Sequence, residues 1–96
     1  MESDTPVYVI SVAARLVGTH PQTLRVYERE GLIGPFRTSK NQRLYSEVDI
    51  LLLQGIHFLN HEGGINLAGI KMILNMLLTE GRSLRTFLEE EFFKKT

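Results

Sequence analysis

Apolar residues along this chain follow two rhythms, and the switches between them predict where helices give way to strands. Val7-Tyr8-Val9-Ile10 is β-branched and aromatic, the composition of a short strand or an extended lead-in. From Ser11 to Val17, Val12, Leu16 and two alanines make a compact helix with Ser11 as its expected cap, and Gly18 breaks it. A second short helix opens at Pro21, since the first helical position needs no N–H and suits a preset φ; Thr19 or His20 would cap it. Leu24 and Tyr27 fall on one face of it at i, i+3, with Gln22, Thr23, Arg25 and Arg29 around the rest, and Gly31 stands where a terminating glycine is usual. Two short helices about a tight glycine turn have the pattern of a helix-turn-helix.

Beyond Gly34-Pro35 the rhythm changes. Phe36 to Thr38 and Arg43 to Tyr45 read as the arms of a hairpin around Thr38-Ser39-Lys40-Asn41, with Asn41 suited to a left-handed conformation. Ser46 and Asp49 have the spacing of a capping box. The helix they open runs to about Asn60 and is apolar nearly all round, from Val48, Ile50, Leu51, Leu52 and Leu53 to Ile56, Phe58 and Leu59, which predicts burial at the centre. Glu62-Gly63-Gly64 ends it. Asn66 caps a further helix with Leu67, Ile70, Ile73, Leu74 and Leu77 on one stripe. After Glu80-Gly81, Ser83 starts a last amphipathic helix carrying Leu84, Phe87, Leu88, Phe92 and Phe93. The expected fold is mainly α, a winged helix-turn-helix with a small β-hairpin wing and C-terminal helices. Residues 1–6 would be a flexible leader, 7–78 the winged domain, and 79–96 the short amphipathic tail.

Composition narrows this picture. Ninety-six residues suit one domain, and a hydrophobic fraction of 43% argues against disorder. No apolar run approaches the roughly 18 residues of a membrane span, and the polar start MESDTP is unlike a signal peptide, so a cytoplasmic location is expected. With zero cysteines there is no disulfide framework, thiolate metal site or thiol redox chemistry. Net charge is formally zero, yet residues 15–45 hold six cations (Arg15, Arg25, Arg29, Arg37, Lys40, Arg43) against Glu28 and Glu30. That segregation allows a neutral protein one positive face, the alternative being ordinary solvated charges. His57 and His61 have a metal-ligand spacing of i, i+4, but only Glu62 stands near as a third ligand and a helix end explains His61 equally well, so no metal or other cofactor is expected. No nucleophile elbow, P-loop or catalytic spacing is visible, and nothing argues for an enzyme.

T-L-R-x-Y-E-x-x-G-L-I-x-P-x-R, from Thr23 to Arg37, resembles the recognition helix and wing of the MerR family of bacterial transcription regulators. The segments Val7 to Arg25, Arg43 to Ile50 (RLYSEVDI) and Gly64 to Leu74 (GINLAGIKMIL) are similar to the heat-shock repressor, HspR-like, branch of that family. Val26 replaces the first of two tyrosines usual in the family, and Asn41-Gln42-Arg43 replaces the Gly-Tyr-Arg of many wing tips. The resemblance implies sequence-specific binding to duplex DNA as a homodimer on inverted repeats, repression of chaperone genes on the bacterial nucleoid, and a DnaK-type chaperone as corepressor. The competing readings are a family-like interaction module that modulates a chaperone without binding DNA, and an architectural factor of the excisionase kind.

Under the DNA reading, Arg25 on the second helix grips a guanine or a phosphate, its alternative being an ion pair with Glu28 one turn along. His20, Gln22 and Thr23 either read base edges or serve, for His20 and Gln22, as caps. Tyr27 either donates to a phosphate or packs with its hydroxyl wet. Arg37, Lys40, Arg43 and Tyr45 belong to the wing, Arg37 and Arg43 flanking it as phosphate contacts, and Arg15 is a phosphate candidate on the first helix. MerR-type proteins dimerise through a C-terminal antiparallel coiled coil, which here would fall on Leu84, Phe87, Leu88 and Phe92. The same apolar groups could instead fold back over the core or receive a chaperone.

Overall fold

The computed structural model describes residues 3–91. In chain order it contains β1 (Tyr8–Val9), α1 (Ile10–Val17), α2 (Pro21–Arg29), β2 (Phe36–Arg37), β3 (Arg43–Tyr45), α3 (Glu47–His61), α4 (Leu67–Glu80) and α5 (Leu84–Glu91). Among the described residues no helix is long and apolar enough to cross a membrane. The chain forms two compact units, Met1–Gln54 and Gly55–Thr96, and the division falls inside α3.

In the first unit the strands form one antiparallel sheet in the order β1-β3-β2. The predicted hairpin is therefore joined by a third strand, with Tyr8 opposite Tyr45 and Val9 opposite Leu44. That pairing sets the start of α1. Val9, extended at φ −71° and ψ 163°, is the N-cap and makes no side-chain cap bond, so the helix begins at Ile10 and the expected Ser11 cap lies inside it. Gly18, at φ 89°, ends α1; its N–H and that of Thr19 both reach back to the Ala14 carbonyl. Ala13, Ala14, Val17, Leu24, Tyr27, Leu32, Ile33, Tyr45, Ile50 and Leu53 are buried. Ser3 N–H donates to Glu47 Oε1 at 3.1 Å, and the Ser3 carbonyl accepts from Val48 N–H. The Ser46–Asp49 capping box forms as expected, each side chain accepting the other's backbone N–H at 3.0 Å. Val48 and Leu51 are exposed, so α3 is not buried all round.

In the second unit Ile56, Leu59, Ile70, Leu77 and Leu88 are buried. Asn66 caps α4 by accepting from Gly69 N–H at 2.8 Å, and Gly81 closes it at φ 71°. α5 returns onto Gly55 of α3, whose missing side chain leaves room for Leu84 and Leu88. Phe87 is half-buried, and Phe92 lies outside the described residues.

Candidate nucleic-acid interface

The candidate interface belongs to the first unit and is built from α2 and the β2–β3 wing. Pro21 opens α2 as predicted, with His20 as the N-cap in extended backbone but without a side-chain bond to the helix. The burial of Leu24 and Tyr27 fixes the rotation of α2, leaving Gln22 and Arg29 exposed and Arg25 half-buried at the rim. Asn41 takes the left-handed conformation foreseen for it, at φ 64°. Thr38 organises the turn: its Oγ1 accepts from Lys40 N–H and Gln42 N–H, while its backbone N–H donates to the Gln42 carbonyl.

Gln22, Arg25, Glu28, Arg29, Arg37 and Arg43 line an open depression of about 330 Å³. Four guanidiniums thus meet one carboxylate. Glu28 does not pair with Arg25, the alternative its spacing suggested; Arg25 Nη1 donates instead to Gln22 Oε1 at 3.3 Å. The Glu28 carboxylate is taken by the wing, Oε2 accepting from Arg37 Nη2 at 2.8 Å and Oε1 from Arg43 Nε at 2.6 Å. Burial by itself would raise the Glu28 carboxyl, but hydrogen bonds and charge from Arg43 and Arg37 outweigh it and hold the group below its ordinary 4.5.

Of the ten candidate contact residues, Arg15, His20, Gln22 and Lys40 are exposed, and Thr23, Arg25, Arg37 and Arg43 are half-buried. Tyr27 and Tyr45 are 1% and 0% exposed, and burial pushes both phenols up. Tyr45 shares a face of β3 with Arg43, two residues away, but its hydroxyl is buried without a hydrogen-bond partner among the described residues. Glu28 and Arg29 were missing from the candidate set. The signal for Glu28 was its isolation, one of two acids among six cations over residues 15–45. Among the described residues no group of three or more His, Cys, Asp or Glu side chains could hold a metal ion.

The comparisons agree with this geometry. Residues 8–77 match the model for the MerR HTH family regulatory protein. A Streptomyces coelicolor protein assigned the name heat shock protein HspR is 57% identical over 76 residues, which are 79% of this chain and 50% of that protein. The chain thus spans about half the length of that relative. The lead(II) complex of the transcription regulator PbrR691 from Ralstonia metallidurans superposes with a TM-score of 0.66 at 32% identity, over 73% of this chain and 54% of the other. HiNmlR, a MerR family regulator lacking the sensor domain and bound to promoter DNA, superposes with a TM-score of 0.65 at 26% identity, over 82% of this chain and 59% of the other. With the family match covering both helices, the wing and α4, the chain belongs to the MerR family of helix-turn-helix regulatory proteins.

Proposed function

We propose that this chain is a sequence-specific reader of duplex DNA that represses heat-shock or chaperone genes in the bacterial cytoplasm. In this reading it binds inverted repeats as a homodimer, with a DnaK-type chaperone as corepressor. The observation that carries the DNA reading is the open depression in which Arg25, Arg29, Arg37 and Arg43 gather beside Gln22, between the wing and the helix that a helix-turn-helix places in the major groove. Arg25 and Gln22 would face base edges, and the wing would hold the flanking phosphates and set register. The HspR name of one relative supports the heat-shock assignment, and promoter DNA on HiNmlR supports the mode of binding.

A second reading draws on exposed apolar side chains of α4. Met72, Met76 and Leu78 are 66%, 56% and 81% exposed, as on an interaction module that engages a protein partner. Fluorescence anisotropy on random duplexes and on duplexes selected from a randomised library, across a salt series, separates the two. Selection of an inverted repeat, with affinity falling as salt rises by about 0.9 log units per phosphate engaged, supports the DNA reader. Equal or absent binding on every duplex supports the interaction module.

A further inference from the structure

Arg37 and Arg43 face each other directly across the β2–β3 ladder. Guanidiniums stay charged at any accessible pH, and like charges at directly opposed positions destabilise a sheet. Glu28 resolves the conflict by reaching from α2 with one carboxylate oxygen for each, at 2.8 and 2.6 Å. The two arginines are held differently. Arg37 commits both terminal nitrogens, Nη2 to Glu28 and Nη1 to the carbonyl and Oδ1 of Asn41 at 3.3 Å each. It therefore ties the recognition helix to the left-handed residue of the wing turn. Arg43 is held only through Nε, and its two terminal nitrogens make no hydrogen bond to the described residues.

Resting on the DNA-binding reading above, we propose that Glu28 is a positioning residue of the interface: it turns Arg37 into a brace, aims the terminal nitrogens of Arg43 at phosphate, and restrains sequence-independent binding. Two cations sharing one anion leave a single net positive charge at the helix–wing junction. DNA finds one presented guanidinium there in a fixed position instead of two mobile ones. Specificity gains because phosphate contacts that fix register help base reading, whereas extra mobile charge strengthens binding to every sequence alike.

The test uses the full chain, its Glu28→Gln, Arg37→Ala and Arg43→Ala variants, and the two kinds of duplex named above. In the free protein, NMR should show the Arg43 Nε–H exchanging slowly with solvent in the wild type and fast in Glu28→Gln. On random duplex, Glu28→Gln should steepen the salt slope by about one phosphate, which near 0.1 M salt is about tenfold tighter binding, and the preference for the selected duplex should shrink. Arg43→Ala should flatten the slope by about one phosphate, and Arg37→Ala should leave it near the wild-type value. A wild-type slope and preference in Glu28→Gln, or equal flattening in the two arginine variants, would overturn the proposal. Should Glu28→Gln lose its helical circular dichroism, the contrast between the two arginine variants decides alone. Failure of the wild type to bind any duplex would sink the DNA reading and this role together, whereas wild-type binding with either overturning result would sink the role alone.

Discussion

A Cβ on Gly55 would stand 2.6 Å from Leu84 Cδ2 and 3.2 Å from Leu88 Cδ1. Glycine costs a helix interior about 1 kcal/mol relative to alanine, so its place in α3 is explained by what it admits: close approach of the last helix. Gly55→Leu should therefore undock α5. Leu88, now 7% exposed, would lose burial worth about 1.5–3 kcal/mol, and trypsin should cut at Arg82 or Arg85 faster than in the wild type. Unchanged cutting would mean that α5 is held by something other than its seat on Gly55.

Tyr45 carries a buried hydroxyl with no hydrogen-bond partner among the described residues. Burying such a group costs about 1–3 kcal/mol, and phenylalanine fills the same space without it. Tyr45→Phe should hold or raise the urea midpoint, and DNA affinity should stay unchanged because the hydroxyl cannot reach a surface ligand. A clear loss of affinity with stability intact would place Tyr45 at the interface.

Much of the architecture is legible in the sequence because it is specified locally. Pro21 at the start of α2, the Ser46–Asp49 box, the Asn66 cap, the left-handed Asn41 and the glycines after α1 and α4 each act within a few residues, and each stands where the pattern placed it. What could not be read depends on contacts distant along the chain. The pairing of β1 with β3 moved the start of α1, and Glu28 meets partners 9 and 15 residues away rather than Arg25 at three. Strands of two and three residues are too short for alternation to show which face is buried, so the burial of Tyr45 was not legible.

Arg25→Ala should leave the fold intact and cost the interface its selectivity. Its one hydrogen bond among the described residues is the long 3.3 Å contact with exposed Gln22, so little stability depends on it. A bidentate base contact contributes about 1–3 kcal/mol of discrimination. Anisotropy should accordingly show the variant losing its preference for a selected duplex, with an unchanged thermal midpoint. Full preference in the variant would remove Arg25 from direct readout.

Stability should fall in two steps as the solution is acidified. His57 lies below its ordinary 6.5 because burial disfavours its charged form and His61, with ring centroids 4.1 Å apart, adds to the effect, while Glu62 opposes it. Below 6.5 the unfolded chain therefore takes up a proton that folded His57 resists, so stability is full above that pH and declines until the folded group also titrates. Glu28 has the same sign in a lower window. Its depressed carboxyl contributes fully above 4.5, and the contribution is lost as pH falls through the folded value and the brace on Arg37 and Arg43 is protonated. Urea midpoints measured from neutral pH downward should show both declines. His57→Gln should remove the upper step and spare the lower, and Glu28→Gln should do the reverse. A single acid transition unaffected by either substitution would place the proton-linked groups elsewhere.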